Sequence, residues 1–152
     1  MFRFGAFSLA DAETVLGWRY PAPYDFYDAA SDGDDAALFL QDGYRREHLI
    51  AARDDAGRLR GFLEFHLRGG VVEVGLGLSP EDTGRGLGLA FVEAGLAYAR
   101  EIYRPHAFSL YVAAFNARAI KVYERAGFRE TGRETRHLLG RAWEFLIMER
   151  PA

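Results

Sequence analysis

The sequence contains no cysteine. That removes disulfides, thiolate nucleophiles and Cys-ligated metal centres, and it agrees with a reducing cytoplasm, the expected location. A strong excess of either charge is also missing, with 19 Lys and Arg against 22 Asp and Glu. The net charge is -3 with a pI near 5.8, so no bulk attraction draws the chain to nucleic acid or to an anionic membrane surface. No apolar run approaches the roughly 18 residues that a membrane-spanning helix needs. The opening stretch "MFRFGAFSLADAE" has neither a long apolar core nor a cleavage signature, so no signal peptide is expected. The four His residues, at 48, 66, 106 and 137, show no ligand spacing, and no metal is expected. Internal repeats and low-complexity linkers are absent too.

What is present is an ordinary globular balance, 49% hydrophobic and 27% charged over 152 residues. This length suits one domain, 1–152, with a sizeable core. Residues 2–7 read as a strand. In 8–18, "SLADAETVLGW", Ser8 is the expected N-cap, with Asp11 and Glu13 in the first turn. Pro, Asp and aromatics make 19–35 irregular, and Asp34 or Asp35 is expected to cap a brief helix through "AALFLQ". Residues 48–67 read as two strands joined at Asp54-Asp55-Ala56-Gly57. A turn at Gly69-Gly70 leads to a third strand, "VVEVGLGLSP". The result is an antiparallel meander.

The stretch "PEDTGRGLGLAF", residues 80–91, then places three glycines where an apolar helix over 86–102 begins. Leu89, Val92, Leu96 and Ala99 share its inner face, with Glu93 and Arg100 outside. A strand over 107–115 follows, giving a parallel strand–helix–strand crossover. Asn116 caps a short helix, "ARAIKVYERA", which Gly127 ends in left-handed conformation. Residues 128–138 and 141–149 form a hairpin around Gly140. The fold class is α/β, a mixed sheet flanked by helices.

Glycine lets backbone approach a ligand closely and take positive φ. The first amides of a helix lack internal partners and carry the positive dipole end. Together these suit phosphate binding at Gly84, Gly86 and Gly88, with Arg85 as a nearby cation; a plain strand-to-helix turn is the structural alternative. The Gly-Lys-Ser/Thr of a P-loop is missing. The third glycine of a dinucleotide fingerprint is Phe91 instead, which disfavours a dinucleotide oxidoreductase.

Two blocks resemble the GNAT acetyltransferase superfamily. "TGRGLG", Thr83 to Gly88, is similar to its Gln/Arg-x-x-Gly-x-Gly/Ala signature, with Thr in place of the leading Gln or Arg. "LYVAAFNARAIKVYERAGF", from Leu110 to Phe128, resembles the strand, Asn, helix, Tyr and Gly-Phe block. The resemblance implies a mixed sheet whose parallel strands splay apart. It implies acetyl-CoA as co-substrate, its diphosphate on the amides of Gly84, Arg85, Gly86, Leu87, Gly88 and Leu89. It places the pantetheine chain on the strand edge Leu76, Gly77 and Leu78, and gives Asn116 a contact to the cofactor.

It also puts Tyr123 near the sulfur as the acid that protonates the departing thiolate; packing is the structural alternative for this ring. An alkyl amine, with an ordinary pKa near ~10.4, must lose a proton before attack. Glu73 is the leading candidate for the base, with Glu64 and His66 as alternatives. The aromatic and acidic stretch "WRYPAPYDFYDAA", with Tyr20, Tyr24 and Tyr27, is a candidate acceptor lining for a cationic amine. The implied function is direct acetyl transfer to a primary amine of a small molecule or protein N-terminus. A non-catalytic acyl-CoA-binding module stands as the rival, and a homodimer is left open.

Overall fold

The structure is a computed structural model that describes residues 1–152. Seven strands form one mixed sheet in the order β1-β2-β3-β4-β5-β7-β6, and five α-helices flank it. No helix is long and apolar enough to cross a membrane. The chain divides into two compact units, residues 1–64 with 76–85, and residues 65–75 with 86–152.

In the first unit, β1 (Arg3–Ala6) pairs antiparallel with β2 (Leu49–Arg53), and β2 with β3 (Leu59–Arg68). Helix α1 (Leu9–Leu16) starts with a capping box. Ser8 Oγ accepts from Asp11 N at 3.0 Å, and Ser8 N donates to Asp11 Oδ2 at 2.9 Å. Asp11 alone is acidic in that first turn; Glu13 lies beyond it, because the helix begins at Leu9. Asp11 also accepts from Arg53 Nη2 at 2.6 Å, which ties α1 to β2.

Helix α2 (Gly33–Phe39) is capped by Asp32, whose Oδ1 accepts from Asp34 N at 2.9 Å. Asp34 and Asp35 therefore sit in the first turn rather than at the cap, because Asp32 keeps the extended φ/ψ that a cap requires. Residues 24–27 and 29–31 form short 3₁₀ turns inside the stretch expected to be irregular. A further helix, α3 (Asp42–His48), precedes β2. The core is aromatic: Phe39 meets Phe7 and Phe62 edge to face, at centroid distances of 5.9 and 5.5 Å.

In the second unit, Gly69 and Gly70 both have positive φ and turn the chain into β4 (Val71–Leu78), whose last residues, 76–78, belong to the first unit. Helix α4 (Gly88–Tyr103) buries Phe91, Val92, Gly95, Leu96 and Ala99. Leu89 is only half-buried. Arg100 does not point clear of the protein; its guanidinium stacks 5.5 Å from the Phe108 ring centroid. Strand β5 (Ala107–Ala113) pairs antiparallel with β7 (Arg141–Pro151), and β7 with the edge strand β6 (Arg129–Leu138). Leu139 and Gly140 supply the two positive φ values of that hairpin turn.

Candidate active site

Strands β4 and β5 are parallel but pair only at Val71↔Ala107, Val72↔Phe108 and Glu73↔Ser109. Beyond these, β5 keeps its register with β7 as far as Ala113↔Phe145, while β4 continues to Leu78 without β5. The parallel strands thus part after Glu73, as the sequence resemblance implied.

The edge Leu76–Leu78 is not wholly free. The Tyr20 hydroxyl donates to Leu78 O at 2.6 Å, and Tyr20 N donates to Asp28 Oδ1 at 3.0 Å. Burial, with the Asp28 carboxylate second, pushes the Tyr20 phenol above its ordinary range, so it remains a donor. Tyr20 therefore braces the end of β4 through its hydroxyl. Tyr24 is half-buried, and Tyr27 is exposed with its ring edge-on to Phe26 at 5.0 Å.

Gly77 has no room for a side chain, since an added Cβ would lie 2.5 Å from Phe62 Cε1. Gly77→Ala is expected to overpack this contact and destabilise by about 1–3 kcal/mol. The measurement is a lowered urea midpoint at unchanged m.

The glycine turn follows. Gly84 and Gly86 take φ of +73° and +76°, and a Cβ on Gly86 would meet nothing within 4 Å. Leu87, at the N-cap of α4, is right-handed at φ -84°, ψ -13°. Positive-φ residues beside right-handed ones are the backbone pattern from which anion-binding concavities are built. Side chains cap α1, α2 and α5; α3 and α4, the longest helix, have no side-chain cap. The first amides of α4 have no side-chain acceptor, and the first intrahelical bond is Phe91 N to Leu87 O at 3.0 Å. An open, uncapped turn of this kind fits a diphosphate.

Gly88 has a different role. It lies beside Val122 of α5 (Ala117–Arg125), whose Cγ2 a Cβ at this position would meet at 3.4 Å, an ordinary packing distance. The start of α4 and the Tyr123 helix are thereby neighbours within the second unit. Asn116 is 9% exposed, and its Oδ1 accepts from Ala119 N at 3.1 Å, the capping role read from sequence.

Helix α5 ends in a Schellman motif. Phe128 N donates to Tyr123 O and Gly127 N to Glu124 O, both at 3.0 Å, with Gly127 at φ +94°. The accompanying hydrophobic contact is Tyr123 against Phe128, with centroids 6.1 Å apart at 70°. The Tyr…Gly-Phe spacing is thus explained locally, and it holds the half-buried Tyr123 ring in one place.

Among the base candidates, the Glu73 carboxylate is half-buried, 3.8 Å from Arg68 Nη1. Glu64 accepts from the Tyr44 hydroxyl at 2.6 Å. His66 is half-buried on the same strand as Glu64. No group of three or more His, Asp or Glu is arranged to hold a metal.

A feature with no local sequence signal lies just before the turn. Asp82 is 2% exposed, and both its oxygens are held by Arg60: Nε donates to Oδ2 at 2.6 Å and Nη2 to Oδ1. Ser79 Oγ also donates to Oδ2, at 2.6 Å. The Arg60 bonds hold the Asp82 carboxyl below its ordinary range against the opposing effect of burial. The two residues are 22 positions apart, so no pattern in the chain announces the pair.

A family model for the acetyltransferase (GNAT) family matches residues 12–128. The mycothiol acetyltransferase of Propionibacterium freudenreichii subsp. shermanii is 40% identical over 94 residues, covering 58% of this chain and 30% of that protein. That of Salinispora arenicola is 42% identical over 85 residues, 52% of this chain and 28% of that protein. The chain thus spans under a third of the length of these curated relatives. A spermidine N-acetyltransferase chimera built from Vibrio cholerae SpeG and hSSAT superposes with a TM-score of 0.81 at 21% identity, covering 97% of this chain and 93% of that one. The spermidine N-acetyltransferase of Vibrio cholerae in complex with CoA and spermine gives 0.79 at 18% identity, covering 99% and 95%. These two structures share the fold. With its parting parallel strands, its open glycine turn and a family match over most of its length, the chain belongs to the acetyltransferase (GNAT) family.

Proposed function

We propose that the protein transfers acetyl from acetyl-CoA directly to a primary amine. The observation that carries this reading is the open turn Gly84–Gly86 running into the uncapped α4, with the Tyr123 helix packed against its end at Gly88. The amides of residues 84–89 hold the donor's diphosphate, with Arg85 as an added cation. The edge Leu76–Leu78 takes the pantetheine through its remaining backbone groups, and the side-chain amide of Asn116 adds a contact.

In the transfer step the amine nitrogen attacks the thioester carbonyl. The C–N bond forms, the C–S bond breaks, and the electron pair leaves on sulfur. The Tyr123 hydroxyl gives sulfur its proton, and Glu73 accepts the proton that the amine sheds, through water. A backbone N–H of the β4 edge stabilises the oxyanion. With no cysteine in the chain, no acetyl-cysteine intermediate forms. Tyr24 and Tyr27, with Asp25 and Asp28 beside them, line the acceptor side for a cationic amine, which is either a small molecule or a protein N-terminus.

The test is a thermal-shift titration followed by steady-state coenzyme A release. Acetyl-CoA at 100-fold over its Kd is expected to stabilise the fold by about 2.7 kcal/mol. Added amines, beginning with spermidine and spermine, are then expected to release free coenzyme A. No shift with acetyl-CoA contradicts donor binding. A shift without release for any primary amine or peptide N-terminus favours a non-catalytic acyl-CoA-binding module.

A further inference from the structure

We propose that Arg60 is a positioning residue for the donor's diphosphate, acting on the glycine turn through Asp82; this role rests on the acetyl-CoA reading above. The bonds around these residues converge on one short run of chain. Arg60 grips both oxygens of Asp82, and Ser79 Oγ adds a third bond to that carboxylate. The backbone of the same run is tied as well. Ser79 N donates to Arg60 O at 2.8 Å, Asp82 N to Ser79 O at 2.9 Å, and Thr83 Oγ1 to Pro80 O at 2.8 Å. Residues 79–83 are therefore fixed immediately ahead of Gly84.

The guanidinium is itself anchored from the other side. Arg60 Nη1 donates to Asp54 Oδ2 at 3.2 Å. Asp54 Oδ1 accepts from Ala56 N at 3.0 Å and Arg58 N at 2.9 Å in the β2–β3 turn. Arg60 thus joins a rigid hairpin end to the approach to the glycine turn.

An anion site made chiefly of backbone amides depends on the course of the backbone, and glycine is the residue with the most conformational freedom. Its order must come from its flanks. Helix α4 supplies one flank, and the Arg60–Asp82 pair supplies the other. A buried ion pair adds little stability over apolar residues of similar volume, so its value here is in fixing geometry. The two-pronged fork of Arg, which Lys lacks, is what fixes the Asp82 carboxylate.

The consequence is selective. Loosening the flank weakens binding of a ligand that carries the diphosphate and spares one that does not. The experiment compares wild type, Arg60→Lys, Ser79→Ala and the double variant Arg60→Leu with Asp82→Leu, which removes the pair without leaving a lone charge. Calorimetry gives Kd for coenzyme A and for pantetheine, and melting curves report folding. Steady-state assays give KM and kcat with acetyl-CoA and with S-acetyl-pantetheine. Arg60→Lys and the double variant are expected to bind coenzyme A about tenfold more weakly, as the amides that hold the diphosphate lose their fixed flank. Pantetheine binding and kcat at saturating donor stay near wild type, and Ser79→Ala shows the same pattern at smaller amplitude. Equal losses on both ligands, or no loss on coenzyme A, overturn the role of Arg60 while leaving donor binding intact. Wild type that fails to prefer coenzyme A over pantetheine overturns the diphosphate reading and this role together.

Discussion

Tyr123→Phe is expected to lower kcat by about 10²–10⁴-fold, the usual range for losing a positioned general acid. Phe keeps the ring, so the edge-on contact with Phe128 and the Schellman bonds of residues 123–128 remain. Only the hydroxyl goes, and with it the proton proposed for the departing sulfur. KM for acetyl-CoA is expected to change little, because the proposed diphosphate grip lies on other residues. Coenzyme A release under saturating donor and amine reads kcat, and an unchanged melting temperature shows that the fold is intact. Full activity in the Phe variant would reduce Tyr123 to the packing role that its contact with Phe128 already explains.

Arg60→Met carries the largest expected stability effect. The Asp82 carboxylate, 2% exposed, would lose the partner that holds both its oxygens. Breaking a buried pair from one side costs about 3–5 kcal/mol, whereas replacing both partners with apolar residues costs far less. Urea unfolding of Arg60→Met and of the Arg60→Leu, Asp82→Leu double variant tests this. A single variant no less stable than the double contradicts the burial and pairing of Asp82.

The acid limb of stability has a definite sign. Asp82 has a folded pKa below its unfolded value. Its contribution is fully present above the unfolded value near ~3.9 and fades as pH falls through the folded one. The double variant, which has no carboxyl at this position, is expected to lose less stability than wild type on acidification through that window.

Local chemistry made much of the fold legible. Ser8 and Asn116 are N-caps because their side chains reach the N–H three residues on, a relation that sequence spacing displays. The Gly69-Gly70 and Gly140 turns show in the same way, since positive φ selects glycine. Helix α4 announced itself by apolar periodicity. Helix α3 did not: "DGYRREH" is short and polar, carries a glycine at its second position, and buries Arg45 rather than an apolar face. Asp32 was hidden among neighbouring Asp residues, any of which has the chemistry of a cap. Tyr20 is a candidate acceptor contact by its aromatic and acidic surroundings, and its hydroxyl bond to Leu78 O, 58 residues away, has no sequence signal. The Arg60–Asp82 pair is non-local in the same sense. Residues that act through distant partners leave no periodic trace, and only the folded chain brings them together.

The most direct measurement is an amide ¹⁵N–¹H titration of the protein with coenzyme A. Saturable shifts are expected at Gly84, Gly86, Leu87, Gly88 and Leu89, weakened in parallel with Kd when the diphosphate is absent, as in pantetheine. Coenzyme A that binds without moving these amides, or that fails to bind at all, would contradict a diphosphate held by the glycine turn.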